Sequence, residues 1–440
     1  MTLTEAAFWT KRFGVIALGV LAILIIAVLA LTYEGPTKPP QQYLEANFAC
    51  TETRGEFLET NKLWIPSLKL AEGSEMYFEV GTDTGKINKL PSIVNMYTFN
   101  NPTQVWDARS RATNLAKKMG FEADRSSRER AGYYEWENPV AKKTLSVNAK
   151  NQNFVMKTDP MYIRSLASSA SVPSEQEAKS KARNALNSLS LLNSDLSSEV
   201  DISYISINPD GSFSKALSAA EAHLVKVNFY REKSLVTIRS DLVGAKEMVA
   251  TFEKTMGQKA TTESRIINDK KVESSTFNTR IVLPRSQDSN ISVYVGVEDK
   301  EQKGTFASIY QVDYTYWPLA VEACGTYELI SPEVALEKIQ KGEGSIAYLY
   351  DKDGDDISEY TPRAVKKFII NQDIKLYYYE TPEEQNFLQP IYVLSGEAIF
   401  EGDIKGKFDI YYPAISYDLV QDKKILPEPK VEEKKGLLPM

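Results

Sequence analysis

Histidine occurs once in this chain of 440 residues, at His223, and cysteine twice, at Cys50 and Cys324. A single histidine excludes Ser-His-Asp triads, His-x-x-x-His zinc sites and two-histidine facial triads. Nucleophile elbows, phosphate-binding glycine loops and Cys-x-x-Cys pairs are missing as well. So is any excess of positive charge: 52 Lys and Arg stand against 59 Asp and Glu, a formal net charge of -7 with a pI near 5.3. That balance speaks against nucleic acid as a partner, and against anionic lipid as the main one.

What the chain does carry, ahead of other signals, is an apolar run from Phe13 to Leu31, about nineteen residues without a charged side chain. As a helix it would span about 28 Å, close to the hydrocarbon thickness of a bilayer. Roughly thirteen of its residues are Leu, Ile, Val or Phe, which at about −0.4 kcal/mol each favour insertion by about 5 kcal/mol. A cleaved signal peptide, a buried core helix and an interfacial helix are the rivals. Thr32-Tyr33-Glu34 makes a poor cleavage exit, and the run has neither a polar nor a charged face. Lys11 and Arg12 precede it, so the positive-inside rule predicts a cytoplasmic tail over 1–12, a transmembrane helix over 13–33 and an extracytoplasmic bulk. The expected location is therefore the cell membrane, single-pass, with one N-terminal helix as the membrane contact. With no ionisable residue in the span, it reads as a tether rather than a transport element.

Apolar residues at 42%, charged at 25% and aromatic at 10% mark a folded chain rather than a disordered one. Gly35-Pro36-Thr37-Lys38-Pro39-Pro40 opens a linker over 34–56, and the Pro- and charge-rich residues 422–440 read as a disordered tail. Between them strand-like runs alternate with short helices. The first unit, 57–165, has strands over 76–80 and 93–99. A helix opens near Pro102-Thr103, with Val105, Ala108, Ala112, Leu115, Ala116 and Met119 on one face and Gly120 as its stop. The second unit, 166–321, opens on a capping box, Ser174 with Glu177, before the stripe Ala178, Ala182, Ala185, Leu186 and Leu189. Strands over 202–207 and 224–230 follow. The helix of the third unit, 322–421, starts at Ser331-Pro332, a serine cap with proline at the first helical position. Val334, Ala335, Leu336 and Ile339 then face inward, Gly342 ends the helix, and strands follow over 346–350, 374–379 and 390–394. The expected fold class is α+β: an N-terminal transmembrane helix followed by two or three modules of antiparallel sheet with short packed helices.

Cys50 lies just past the linker and Cys324 at the start of the third unit. Either they form a disulfide or they are two independent buried thiols. A bond would close a loop of about 270 residues and, in the chain-entropy model, stabilise by roughly 5 kcal/mol.

The third unit also carries a resemblance. The stretch Gly325-Thr326-Tyr327-Glu328-Leu329-Ile330-Ser331-Pro332-Glu333-Val334-Ala335-Leu336, with Lys341-Gly342, Ile374-Lys375-Leu376-Tyr377-Tyr378-Tyr379 and Leu388-Gln389-Pro390-Ile391-Tyr392-Val393-Leu394-Ser395-Gly396, resembles the PepSY/YycI-like group. Those are bacterial extracytoplasmic modules in which a Ser-Pro-Glu-x-Ala helix packs on an antiparallel sheet ending in a Pro-x-Tyr-x-x-x-Gly strand. The likeness covers about residues 325–415, and the whole chain is similar in plan to the YycH/YycI proteins. It implies a non-catalytic regulatory role, through contact with other envelope proteins, and supplies no catalytic residue and no cofactor.

Three pieces of candidate chemistry are weighed against that reading. Ser212-Phe213-Ser214-Lys215 matches Ser-x-x-Lys, but its companion motifs are missing and it follows the turn sequence Asn208-Pro209-Asp210-Gly211. Asp351, Asp353 and Asp355 form a weak calcium candidate: the glycine is fourth rather than sixth, and Pro362 stands where a bidentate glutamate belongs. A carboxylate pair for a cell-wall hydrolase is the alternative of a different class. The leading expectation is a non-catalytic, membrane-anchored binding or regulatory protein with an envelope protein or cell-wall material as partner, no cofactor, and no catalytic or metal residues.

Overall fold

The structure, a computed structural model, describes residues 70–415 apart from 71, 76, 84, 104, 123–127, 168–170, 243, 268–269 and 351–362. Ala46, Ala49, Cys50, Leu58–Glu59 and Val420–Gln421 are described as well. In chain order the first elements are β1 (Leu58–Glu59), β2 (Phe78–Val80), β3 (Ile93–Thr98), α1 (Ala108–Lys118), β4 (Arg128–Arg130), β5 (Tyr133–Asn138), β6 (Lys143–Asn148) and β7 (Phe154–Thr158). There follow α2 (Pro160–Ala167), α3 (Glu175–Ser188), β8 (Leu196–Ile207), β9 (Phe213–Lys215), β10 (Leu224–Arg239), α4 (Ala245–Met256), β11 (Thr261–Ile267), β12 (Lys270–Val282), β13 (Ile291–Val295) and β14 (Ile309–Tyr314). The last are β15 (Gly325–Glu328), α5 (Pro332–Gln340), β16 (Ser345–Tyr350), β17 (Val365–Ile370), β18 (Lys375–Tyr379), β19 (Phe387–Phe400), β20 (Ile404–Pro413) and β21 (Val420–Gln421).

Helix boundaries follow local chemistry. The backbone N–H of Glu177 donates to Ser174 Oγ at 3.3 Å, but the Glu177 carboxylate pairs forward with Lys181 at 2.8 Å. The capping box is therefore half made. Val334 N–H donates to Ser331 Oγ at 3.3 Å, with Pro332 at the first position. Gly120 and Gly342, both at positive φ (87° and 88°), end α1 and α5 as a left-handed residue must. Helix α1 starts at Ala108 rather than near Pro102, because Val105–Asp107 form a turn in which Ala108 N–H donates to the Val105 carbonyl. Val334 lies outward on α5, while Ala335, Leu336 and Ile339 are buried.

The strands depart from the expected fold class. Nineteen of them join in one mixed sheet, with 42% strand against 18% helix, so independent antiparallel modules are corrected to one continuous structure. Its first half runs β4-β5-β6-β7-β14-β13-β10-β8-β9, antiparallel throughout. Its second half centres on β19, which takes β20 along one edge and β18 then β17 along the other. The sixteen-residue β10 belongs to both halves: residues 224–231 pair with β8 and 231–239 with β12. Two parallel contacts, β2–β17 and β12–β18, make the sheet mixed. Early strands thus close a late sheet, β3 also pairing with β15 and β19. Hydrophobic alternation reports which face of a strand is buried and carries nothing about its neighbour, which is why chain order misled.

Each half has its own core. Ala108, Ala112 and Ala116 of α1 and Ala178, Ala182, Ala185 and Leu186 of α3 pack on Trp136, Leu145, Val147, Val227 and Phe229. The second core sets Ala335, Leu336 and Ile339 of α5 against Phe368, Leu394, Phe400, Phe408 and Ile410. In the Pro-x-Tyr-x-x-x-Gly strand, Tyr392 donates to the Ile330 carbonyl at 2.6 Å, just before the Ser331 cap. A Cβ at Gly396 would sit 1.9 Å from the Ile369 carbonyl oxygen, so only glycine allows β17 to approach. Cys50 and Cys324 are bonded, 274 residues apart, beside Met96 and Tyr327.

No helix among the described residues is long and apolar enough to cross a membrane; the longest, α3, has 14 residues. The run 13–31 lies outside the described residues. The single-pass helix, the membrane as partner through it, and the N-in cell-membrane location are accordingly withdrawn: hydropathy argued for them, and no described helix has the length and apolarity a span needs.

Candidate functional site

The sequence candidates do not converge. Asp351, Asp353 and Asp355 lie outside the described residues, and among the described ones no group of three or more His, Cys, Asp or Glu could hold a metal. Ser212 Oγ donates to Asp210 at 2.6 Å and accepts from Asn208 Nδ2 at 2.9 Å. The Ser212 hydroxyl, then its backbone N–H, hold Asp210 below the usual carboxylate range and make Ser212 a turn anchor, with Lys215 outward on β9. His223 Nδ1 accepts from the Ile207 backbone N–H at 3.1 Å, and burial, then the Arg164 charge, lower its pKa. The only histidine is a neutral backbone partner.

Two polar constellations that no motif announced stand out instead. The first surrounds Lys143 at the start of β6. The alternation Lys143, Leu145, Val147 puts the lysine on the buried face, and it is only 2% exposed. Its Nζ donates to Gln302 Oε1 and to the Phe306 carbonyl, each at 2.8 Å. Burial pushes its pKa down to about 8, against the opposing pull of Asp299. Burial alone would raise the Asp299 carboxyl; hydrogen bonds from Gln302, Tyr162 and Glu301 outweigh it and hold the group low. Burial, then the bond to Asp299, pushes the Tyr162 phenol up to about 12.

Beside Lys143 lies a cleft of about 630 Å³. Its walls come from the β5–β6 turn (Glu137, Pro139, Lys142), from β6 and β7 (Thr144, Lys157), from the entry to α2 (Asp159, Pro160) and from Phe213 on β9. Lys142 is held at φ 52°, a left-handed conformation uncommon outside glycine, and its carbonyl accepts from Asp159 N–H at 2.9 Å. Asp159 Oδ1 caps α2 through Met161 and Tyr162 N–H at 2.8 and 3.1 Å. Lys142, Lys157 and Thr144 are exposed. The cleft is open and walled mainly by polar side chains, with Pro139, Pro160 and Phe213 as its apolar part.

The second constellation is Arg231, wholly buried at the midpoint of β10 where the strand changes partners. Its Nε donates to Asp195 Oδ2 at 2.9 Å, its Nη1 to Glu380 Oε2 at 2.7 Å, and its guanidinium stacks 4.1 Å from the Tyr316 ring centroid. Glu380 follows β18, and its N–H donates to the Val282 carbonyl at 2.9 Å. One guanidinium faces two carboxylates, and burial, outweighing Arg231, raises Glu380 to about 7. Arg231 itself stays above its usual value: burial lowers it, and the two carboxylates more than compensate. The sequence does carry a signal for both constellations, since Val225, Val227, Phe229 and Arg231 alternate just as Lys143, Leu145 and Val147 do.

No family model matches the chain, and no curated protein does. Among solved structures it is similar to an uncharacterized protein from Eubacterium rectale ATCC 33656, at 12% identity and a TM-score of 0.36, over 75% of this chain and 87% of the other. A likeness at that level carries no functional argument.

Proposed function

We propose that this chain is a non-catalytic binding protein and that the cleft beside Lys143 takes an acidic peptide. The observation that carries the reading is the pairing of exposed Lys142 and Lys157 with an apolar wall of Pro139, Pro160 and Phe213 in one cleft. The ammonium groups attract carboxylates, while proline and phenylalanine take up the apolar body between them. The cap made by Asp159 supports binding over hydrolysis, because that carboxylate is engaged in positioning α2. The resemblance of residues 325–415 to the PepSY/YycI-like group supports the same class of role, and we include it in the proposal as a regulatory module.

The test is fluorescence anisotropy of a labelled Glu-Phe-Glu-Glu-Phe-Glu peptide against the full chain, with a Lys-Phe peptide of equal length as control. Binding of the acidic peptide alone is expected, at least tenfold weaker in the Lys142→Glu/Lys157→Glu variant, a loss of about 1.4 kcal/mol. Equal binding of both peptides, or an affinity unchanged in the variant, would sink the reading.

A further inference from the structure

Strand β11 pairs with β12 in unbroken register, from Thr261 opposite Thr276 to Ile267 opposite Lys270. On its other edge no described strand is paired. Residues 261–266 are all exposed, Ile266 at 80%. Sheet edges are normally blunted by charge, proline, a bulge or a cover; β11 has neither proline nor bulge, and its charges are one of each sign. Its sequence, Thr261-Thr262-Glu263-Ser264-Arg265-Ile266-Ile267, has its two charges placed symmetrically about Ser264 and opposite in sign.

We propose that β11 is a self-association edge, on which a second copy of this chain pairs antiparallel about a two-fold axis at Ser264. In that register Glu263 of each copy lies directly opposite Arg265 of the other, giving two cross-strand ion pairs. Thr262 lies opposite Ile266, a β-branched pair that covers the most exposed apolar side chain of the strand. All seven residues overlap, and the two sheets become one. The alternatives are worse: parallel pairing in register sets Glu263 against Glu263 and Arg265 against Arg265, and a one-residue slip breaks the charge match. Within one copy the Glu263–Arg265 contact of 3.3 Å is an exposed pair, of the kind that contributes little, so exchanging it across the dimer loses little. A contact limited to two short strands falls below the size of a permanent interface, so association is expected on the order of 10–100 micromolar.

Sedimentation of the full chain across that range tests the idea. Glu263→Arg alone, or Arg265→Glu alone, should weaken the dimer at least tenfold, and Glu263→Arg/Arg265→Glu together should restore it to within about threefold. Ser264→Cys should crosslink copy to copy under mild oxidation, while Thr262→Cys should not, its equivalent lying about 13 Å away along the partner strand. A chain that stays monomeric throughout, single reversals that leave the dimer unchanged, or crosslinking at 262 equal to that at 264 would each overturn it.

Discussion

Arg231 and Lys143 occupy inward places in β-strands next to apolar neighbours on the same face, Val227 and Phe229 before Arg231 and Leu145 and Val147 after Lys143. Each survives there because its neighbours supply what water would have: two carboxylates and a tyrosine face for Arg231, an amide and a carbonyl for Lys143. Truncating Asp195 to alanine leaves the buried Arg231 charge short of a carboxylate and typically destabilises by about 3–5 kcal/mol. The titration of Glu380 gives a sharper prediction. Its folded value, about 7, lies above the ordinary 4.5, so between those values the folded chain holds a proton the unfolded chain has released. Stability from this group is fully present below pH 4.5 and is lost as pH rises through about 7. Glu380→Gln mimics the protonated form. Urea denaturation should therefore show wild type losing stability relative to the variant as pH rises from about 4.5 through about 7. A difference independent of pH, or one of opposite sign, would refute the assignment of the proton to Glu380.

At the scale of elements, the punctuation of helices was legible and the extent of strands was not. Ser174, Ser331 with Pro332, Gly120 and Gly342 act where their side-chain and backbone chemistry says they should. Gly244 and Gly257, both at positive φ, bracket α4 in the same way, although no helix was expected there. Ser174→Ala should cost about 1 kcal/mol, because Glu177 N–H loses its acceptor and the Glu177–Lys181 pair does not replace it. A shift of the urea midpoint too small to measure would mean that solvent satisfies that end of α3 equally well. Strand β10 shows the opposite case. Its run Arg231-Glu232-Lys233 reads as a polar break, yet the strand continues through it to Arg239 because Arg231 is neutralised from two other elements. No window along the chain contains Asp195, Arg231 and Glu380 together.

At the scale of the molecule, the Cys50–Cys324 bond ties residues 274 apart. In the chain-entropy model a closure of that length stabilises by about 5 kcal/mol, an upper figure because the reduced chain keeps residual structure. Cys50→Ser should lower the urea midpoint markedly, and the native chain unfolded without reductant should show no free thiol. Two free thiols would exclude the bond. The amino-acid sequence by itself determined the punctuation and part of the faces: the serine caps, the glycine stops, the alanine stripes of α1 and α3, and the exclusion of multi-histidine and Cys-x-x-Cys sites. These are local, set by a residue's own conformational limits and by neighbours two to four positions away. Only the tertiary structure decided that β2 and β3 close a late sheet, that β10 joins two halves, and that Lys142, Lys157 and Phe213 share one cleft. Strand pairing is settled by which exposed edges and apolar faces meet in three dimensions, a competition among distant segments that no local pattern encodes.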